Sequence, residues 1–255
     1  MVAHADADTP TVAAFRPDDE RIEDAVDRLE SLGAKPVPDP MLAIEPTGET
    51  PRTDADYVVL TSKTGVELVA DTGWEPGDAT LVAIGPSTAG VLRDAGYEVD
   101  IVPEEYTSSG IVAALADRGI DDARIEIARS DHGSDVLPDG LADAGASVHE
   151  TVLYRLVRPD GSGQSAELAA AGDLDGLCFT SPLTVEHFLE AATARGLESE
   201  TRAGLENAVV GVIGDPTAEA AADCGLPVDL VASEATFETL AQETVEAATE
   251  TGGDR

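Results

Sequence analysis

An internal repeat constrains the fold of this chain more than any other feature of its sequence. The segment IGPSTAGVLRDAG at 84–96 aligns without gaps to IGDPTAEAAADCG at 213–225. A second pair matches SLGAKPVPDPML at 31–42 with DAGASVHETVLY at 143–154. Because self-similarity along a chain is the signature of repeated structural units, the sequence predicts two similar domains. The repeats alternate along the chain in the order short unit, long unit, short unit, long unit.

The class of these domains follows from the alternation of strand-like and helix-like segments. Apolar, β-branched runs such as Tyr57–Leu60 and 81–85 indicate buried strands. Segments with apolar residues on one helical face and a glycine stop, such as 19–33, alternate with them. The segment YEVDIVP at 97–103 is also predicted to be a strand. This rhythm predicts an α/β fold of doubly wound parallel sheets with helices on both faces.

The charge balance of the chain excludes one class of partner. Asp plus Glu number 51 against 15 Lys plus Arg, which gives a formal net charge of −36. The acidic residues are spread along polar helix faces and form no block, which indicates a solvated surface adapted to a salt-rich cytoplasm. No basic patch exists that could displace counterions from a nucleic acid, so nucleic-acid binding is not expected.

Membrane, secretory and metal-binding features are also missing from the sequence. No run of about 18 apolar residues occurs, and the start, MVAHADADTP, lacks the pattern of a secretory signal. Cys178 and Cys224 lie in apolar segments and are predicted to be buried thiols in a reducing compartment. The four histidines are scattered and indicate no metal site. We therefore expect a cytoplasmic protein with no metal and no contact with a membrane.

Small hydroxyl residues occur where predicted strands end and helices begin. In open α/β sheets this edge is where small ligands bind. The residues are Ser62, Ser87, Thr88, Ser181 and Thr217. N-capping explains any one of them, whereas backbone N–H groups at helix amino termini also bind anions. The sequence leaves both interpretations open at each position, and the recurrence in both halves favours anion binding.

Three basic residues and one tyrosine are further candidates for ligand contact. Arg16 and Arg129 end two equivalent predicted strands, and Lys63 stands beside Ser62 in a chain that has only two lysines. Each of these cations could instead pair with a nearby acid at the surface. Tyr154 lies on the long predicted strand at 147–159, either as an ordinary residue of an amphipathic strand or as a phenol that faces a ligand.

The ordered set of motifs resembles the uroporphyrinogen-III synthase family over about residues 12–243. The motifs are Arg16-Pro17, LGAKPVPDPMLAIEP, DYVVLTSKTGVE, VAIGPSTAGVLRDAGY, VLYR, LCFTSPLTVEHF and VIGDPTAEAAADCGL. The resemblance implies two similar flavodoxin-like lobes that are joined by two crossings, with the active cleft between them. The predicted boundaries are 11–40 plus 160–250 for lobe 1, 43–156 for lobe 2, and 1–10 and 251–255 for disordered tails.

The resemblance also implies an activity. Members of the family are cofactor-free lyases of tetrapyrrole and heme biosynthesis, which cyclise hydroxymethylbilane with loss of water and inversion of the terminal pyrrole ring. Tyr154 matches the family tyrosine that is proposed to help the hydroxyl group depart. The expected substrate-binding residues are Arg16, Ser62, Lys63, Ser87, Thr88, Arg129, Ser181 and Thr217. Pro216 replaces a frequent hydroxyl residue, and Ser134 and Asp135 stand where a further basic residue is common.

Two other functions fit parts of the sequence. A regulatory module of the same fold would bind a tetrapyrrole or another anion without catalysis, and loss of the tyrosine or a fused DNA-binding domain would mark it. Neither mark is present in this sequence. A solute receptor of the periplasmic type would need a signal peptide. We therefore expect an enzyme, and we expect it to be a monomer.

The net charge predicts a stability that depends on salt. The screening length is about 30 Å at 0.01 M salt and about 3 Å at 1 M, so repulsion among the acidic residues extends across the whole protein only at low salt. We expect the temperature of thermal unfolding to rise as potassium chloride is raised from 0.01 M to molar concentrations. Scanning calorimetry measures this rise, and a constant unfolding temperature would contradict the prediction.

Overall fold

The computed structural model describes residues 9–252 and divides them into two compact units. The discontinuous unit holds the described residues up to Ala43 together with those from Val157 onward, and the middle unit is Ile44–Leu156. The discontinuous unit contains β1 (Thr11–Phe15), α1 (Glu20–Ser31), β2 (Lys35–Pro38), α6 (Gln164–Ala171), β8 (Gly176–Phe179), α7 (Pro182–Ala194), α8 (Glu198–Leu205), β9 (Val209–Val212), α9 (Asp215–Asp223), β10 (Leu230–Val231) and α10 (Phe237–Gly252). The middle unit contains β3 (Ala43–Pro46), β4 (Tyr57–Leu60), α2 (Lys63–Asp71), β5 (Thr80–Ala83), α3 (Pro86–Asp94), α4 (Ser108–Ala116), β6 (Arg124–Ser130), α5 (Val136–Asp143) and β7 (Ser147–Val157), of which β3 and β7 extend one residue across its boundaries.

Each unit is built on one five-stranded sheet. The strand order is β10-β9-β8-β1-β2 in the discontinuous unit and β3-β7-β6-β4-β5 in the middle unit. The pairings of β1, β2, β8, β9 and β10 in the first sheet, and of β4, β5, β6 and β7 in the second, are parallel. Four strands have the same order when the repeated strands are matched, β4 with β8, β5 with β9, β6 with β1 and β7 with β2. The fifth strand differs, because β10 lies beside β9 whereas β3 lies beside β7. The predicted α/β class with two similar parallel-sheet units is confirmed.

The predicted strand at 97–103 is wrong, because only an isolated bridge between Val82 and Ile101 forms there. The carboxylate of Asp100 accepts from the backbone N–H of Leu81 at 2.8 Å and so takes the place of a backbone carbonyl in the ladder. The equivalent Asp229 accepts from Val210 N–H at the same distance. The two-residue β10 beside it is correspondingly short.

Helices cover both faces of each sheet because side chains alternate along the strands. In the middle unit, Val58 and Leu60 pack in one apolar cluster with α2 and α3, whereas Val59 packs in another with α4 and α5. In the discontinuous unit, Phe15 packs in one cluster with α7, and Ala14 packs on the opposite face with α1 and α10. Apolar side chains therefore cover both faces of each sheet.

The edge strand β2 carries prolines at the two positions that face away from its sheet. The backbone N–H groups of Lys35 and Asp39 donate to Pro10 and Ala14, on the side of β1. Since alternate residues of a strand face opposite neighbours, Pro36 and Pro38 face outward. Proline has no N–H to donate, so this edge cannot accept a full further strand.

Some residues of the predicted tails are ordered. Residues 1–8 and 253–255 lie outside the described residues. Pro10 is buried, and its carbonyl accepts from Lys35 N–H at 2.8 Å. Residues 251 and 252 were predicted as tail, but α10 continues to Gly252, and the hydroxyl of Thr251 donates to Ala247 O at 2.9 Å within it.

A buried carboxylate ties the segment after β2 to the start of α6. Asp39 is 2% exposed and accepts from the backbone N–H of Gly163 at 2.7 Å and of Ser165 at 2.9 Å, and also from the Ser165 hydroxyl. These two segments are 124 residues or more apart along the chain. The carboxylate therefore closes the discontinuous unit close to both places where the chain passes between units.

We expect Asp39→Ala to lower the free energy of unfolding by about 3 kcal/mol or more. Two buried N–H donors lose a charged acceptor, and each unsatisfied buried group costs about 1–3 kcal/mol. Urea denaturation monitored by circular dichroism measures the loss. The matched control is Asp160→Ala, at an exposed position, which should change the value by no more than about 0.5 kcal/mol. Equal effects of the two substitutions would contradict this assignment.

Candidate functional site

The hydroxyl groups of Ser62 and Tyr154 meet at the carboxyl edge of the middle sheet. Ser62 follows β4 and is the N-cap of α2, where its Oγ accepts from Gly65 N–H at 3.0 Å. Tyr154 lies on β7, two strands away from β4, and its hydroxyl donates to Ser62 Oγ at 3.0 Å. Only 7% of Tyr154 is exposed. The fold thus joins two predicted site residues that are 92 positions apart.

Lys63 is the first residue of α2 and is exposed beside this pair. Its ammonium group has no hydrogen bond or ion pair in the described part of the chain. The amino terminus of a helix carries a partial positive charge, so a lysine there raises the local positive potential further. The start of α2 can therefore attract a carboxylate in spite of the acidic surface.

The repeated turns before α3 and α9 are equivalent in detail. Both helices have nine residues, begin after an extended glycine (Gly85 or Gly214) and have no side-chain cap. Thr88 and Thr217 are only 5% and 1% exposed, whereas Ser87 is exposed. N-capping therefore does not explain the hydroxyl residues of these two turns. Ligand contact at the turns would come from backbone N–H groups and Ser87.

Ser181 has the structural role that the sequence left as an alternative. Its Oγ accepts from Thr184 N–H, while the Thr184 hydroxyl closes a capping box at the start of α7. The preceding Thr180 donates its hydroxyl to Phe15 O at 2.5 Å and so links β8 to the end of β1. This part of the carboxyl edge is held rigidly, with Ser181 half-buried.

Arg16 follows β1 and keeps much of its donor capacity. Its guanidinium lies 5.2 Å from the centre of the Phe237 ring, and its buried Nε has no hydrogen-bond partner in the structure. Burial, and then the charge of Arg21, lower the pKa of Arg16 from its ordinary value. A desolvated arginine of this kind gains more from a carboxylate partner than a solvated one does.

Arg129, the equivalent residue in the middle unit, already forms an ion pair and a hydrogen bond within that unit. Its Nη2 lies 2.5 Å from Glu150 Oε2 and its Nη1 donates to Ser134 O at 2.6 Å, with the residue 8% exposed. The same guanidinium packs against Gly133, where a Cβ would be 2.4 Å from Nη1. Both ends of its guanidinium are engaged within the middle unit, which gives Arg129 a structural role. Its predicted contact with substrate stays a prediction.

The sequence did not indicate Tyr106 as a candidate site residue. Tyr106 is the most exposed of the large hydrophobic side chains in the described ranges, at 60%, and its ring lies over Gly85, where a Cβ would be 3.3 Å from the tyrosine Cβ. The repeat offered a signal, because the position of Tyr106 corresponds to Ala235 in the other half. An aromatic face beside the turn before α3 is thus present in only one of the two units.

A cavity of about 100 Å³ lies at the opposite, amino edge of the middle sheet. It is lined by Arg52, Asp54, Ala55, Arg124, Ile125, Glu126, Ser147 and His149. The buried Glu126 accepts from the Thr151 hydroxyl and pairs with His149 Nδ1 at 2.7 Å, and Arg52 and Arg124 pair with aspartates. Because its charges are mutually satisfied, this cavity is a weaker candidate than the carboxyl edge.

Three further findings concern the described residues. No group of three or more His, Cys, Asp or Glu side chains among them could hold a metal ion. No helix in residues 9–252 is both long enough and apolar enough to cross a membrane. Burial raises the pKa of Cys178 to about 12 and keeps its thiol protonated and unreactive.

The fold defines a class: an α/β protein of two parallel-sheet units, each with helix amino termini at the carboxyl edge of its sheet. The family model of uroporphyrinogen-III synthase HemD matches residues 23–242, which is most of the chain. The chain belongs to the uroporphyrinogen-III synthase family.

Individual relatives agree with this assignment. A protein of Methanothermobacter thermautotrophicus, provisionally named uroporphyrinogen-III synthase, is 34% identical over 202 residues, which cover 73% of this chain and 79% of that protein. A mutant uroporphyrinogen III synthase from Thermus thermophilus has a TM-score of 0.67 at 20% identity, with 95% of this chain and 100% of that chain covered. The enzyme from Helicobacter pylori has a TM-score of 0.60 at 16% identity, covering 93% and 99%. These two structures support the fold.

We expect Arg129→Ala to lower the free energy of unfolding by about 2–3 kcal/mol, because Glu150 and the Ser134 carbonyl both lose a charged donor. Urea denaturation measures this change. Arg93→Ala, at an exposed arginine on α3 of the same unit, should change the value by no more than about 0.5 kcal/mol. Unchanged stability of Arg129→Ala together with a raised KM would show that Arg129 contacts substrate instead.

Proposed function

We propose that this protein catalyses the cyclisation of hydroxymethylbilane to uroporphyrinogen III, with loss of water and inversion of the terminal pyrrole ring. Membership of the family supports the proposal. The observation that carries it furthest is the Tyr154–Ser62 hydroxyl pair at the amino terminus of α2. The pair supports the proposal because hydroxyl groups beside a helix amino terminus suit the departure of a hydroxyl group from a polycarboxylate.

Binding depends on local positive potential. The substrate carries eight carboxylates, whereas the protein has a net charge of −36, so long-range repulsion opposes association until salt screens it. Helix amino termini act at short range and can overcome that repulsion. The proposed contacts are the starts of α2, α3, α7 and α9, which include Ser62, Lys63, Ser87, Thr88, Ser181 and Thr217, together with the guanidinium of Arg16.

The reaction depends mainly on control of the conformation of the bilane. Departure of the hydroxyl group leaves a conjugated cation, which the substituted carbon of the last pyrrole attacks to give a spiro intermediate. That intermediate opens and closes again at the alternative carbon, so the terminal ring is inverted. Closure without inversion competes in solution. An enzyme that fixes the bilane in one geometry favours the inverted product, and a proton donor speeds the first step.

The remaining expectations are part of the same proposal. We propose that the protein works as a cytoplasmic monomer in a salt-rich cytoplasm and uses no cofactor. We also propose two folding lobes, 11–40 with 160–250 and 43–156. Limited proteolysis tests the lobes, because release of residues 1–120 as one stable fragment would contradict them.

The activity is tested by incubating the protein with freshly made hydroxymethylbilane and resolving the type I and type III products by chromatography. We expect type III product from the wild type and type I product from a reaction without protein. Tyr154→Phe should lower the rate of type III formation by a factor within or below about 10²–10⁴, the usual contribution of a general acid.

Tyr57→Phe is the matched control, because Tyr57 begins β4 at the amino edge of the same sheet. It should keep wild-type activity. Formation of type I product alone by the folded wild type would refute the proposed function. Full activity of Tyr154→Phe would refute only the part assigned to the phenol.

A further inference from the structure

We propose that the Ser62 hydroxyl gives the proton to the departing hydroxyl group of the substrate, and that Tyr154 acts through Ser62 as a positioning residue. This inference rests on the proposed function and deepens it. It moves the point of proton delivery from the largely buried phenol to the half-buried serine at the start of α2.

The hydrogen bonds at Ser62 Oγ fill its acceptor positions and leave its proton free. A serine hydroxyl can accept two hydrogen bonds and donate one. Ser62 Oγ already accepts from Gly65 N–H and from the Tyr154 hydroxyl, both at 3.0 Å. Both acceptor positions are filled, so the proton of Ser62 is the one hydrogen-bonding function that this hydroxyl has left. No described residue accepts that proton.

The chain of hydroxyl groups runs in one direction, from Tyr154 to Ser62. A phenol is a stronger acid than an aliphatic hydroxyl, so the Tyr154 hydroxyl is the better donor of the two. With its proton directed at Ser62 and only 7% of the residue exposed, Tyr154 cannot donate directly to a ligand in this geometry. Ser62 can.

The position of Ser62 at the start of α2 also favours proton donation. Its oxygen bonds to the amino terminus of α2, whose partial positive charge polarises the hydroxyl and favours loss of its proton. The close approach depends on Gly65, where a Cβ would be 3.0 Å from Ser62 Oγ and 3.2 Å from Leu153 Cδ1. The absence of a side chain at that position keeps the serine, the helix end and the β7 strand together.

The proton transfer balances without any co-reactant. The proton of Ser62 bonds to the substrate hydroxyl oxygen, the carbon–oxygen bond breaks with both electrons on oxygen, and water leaves. Ser62 Oγ takes the phenol proton of Tyr154, which becomes a phenolate. Ring closure later releases one proton from a pyrrole carbon, and that proton restores the phenol.

Four variants separate proton donation from helix capping. Ser62→Asn keeps a good N-cap and a hydrogen-bond donor but removes the acidic hydroxyl, whereas Ser62→Thr restores a hydroxyl. Tyr154→Phe and the double variant Ser62→Asn/Tyr154→Phe test whether the two groups act as one unit. Thr107→Asn is the matched control, since Thr107 caps α4 of the same unit through Gly110 N–H, also at 3.0 Å.

We expect kcat for type III formation to fall about 10²-fold in Ser62→Asn, at the lower end of what a general acid contributes, with KM changed less than about twofold. Tyr154→Phe should show a loss of similar size, and the double variant should be no slower than the slower single variant. Ser62→Thr should recover most of the loss. Thr107→Asn should match the wild type in kcat and KM, which shows that a changed cap alone has no effect.

Wild-type kcat in a folded Ser62→Asn protein would overturn the inference and leave the proposed function standing. So would a double variant whose loss equals the product of the two single losses, because independent groups multiply their effects. A wild-type protein that forms no type III product would overturn the proposed function and this inference together.

Discussion

The register of both parallel sheets is fixed by aspartate carboxylates that accept the first backbone N–H of a neighbouring strand. Asp56 accepts from Arg124 N–H and Asp175 accepts from Thr11 N–H, each at 2.8 Å. Asp100 and Asp229 accept from the second residue of β5 and of β9. In a parallel sheet all strands point one way, so aligning their amino ends also aligns their carboxyl ends. The turns that carry Ser62, Arg16 and the glycine before α3 depend on that alignment, because a shift of one residue would turn each side chain to the other face.

The two units share a framework but differ in where their charge is available. The structurally equivalent Arg16 and Arg129 end equivalent strands, yet Glu150 neutralises only Arg129. Tyr154 has a hydroxyl partner in the middle unit, while the corresponding position after β2 is Leu42. The two units therefore have similar carboxyl edges that present different groups: the guanidinium of Arg16 over the Phe237 ring in the discontinuous unit, and the Tyr154–Ser62 hydroxyl pair in the middle unit.

Local sequence patterns predicted most of the fold but did not predict which distant side chains form pairs. The repeat placed α3 and α9 correctly because glycine and proline define their first turns. The failure at 97–103 arose because apolar alternation does not reveal that Asp100 takes over a ladder hydrogen bond. At the site, residue types indicated Ser62 and Tyr154 separately, but their hydrogen bond spans 92 positions. The ion pair between Arg129 and Glu150 was not predicted either, because no local sequence signal links residues on neighbouring strands.

The outward prolines of β2 also influence the order in which the chain can fold. β3 follows β2 after only four residues, so a local hairpin between them would form much sooner than the pairing of β3 with β7, more than 100 residues later. Pro36 and Pro38 leave that hairpin without its N–H donors. β3 remains unpaired until β7 arrives, where Thr47 N–H donates to Leu153 O at 3.0 Å. The two prolines of β2 thus disfavour a competing hairpin between β2 and β3. We expect β3, which lies where the chain enters the middle unit, to pair only after β7 has formed.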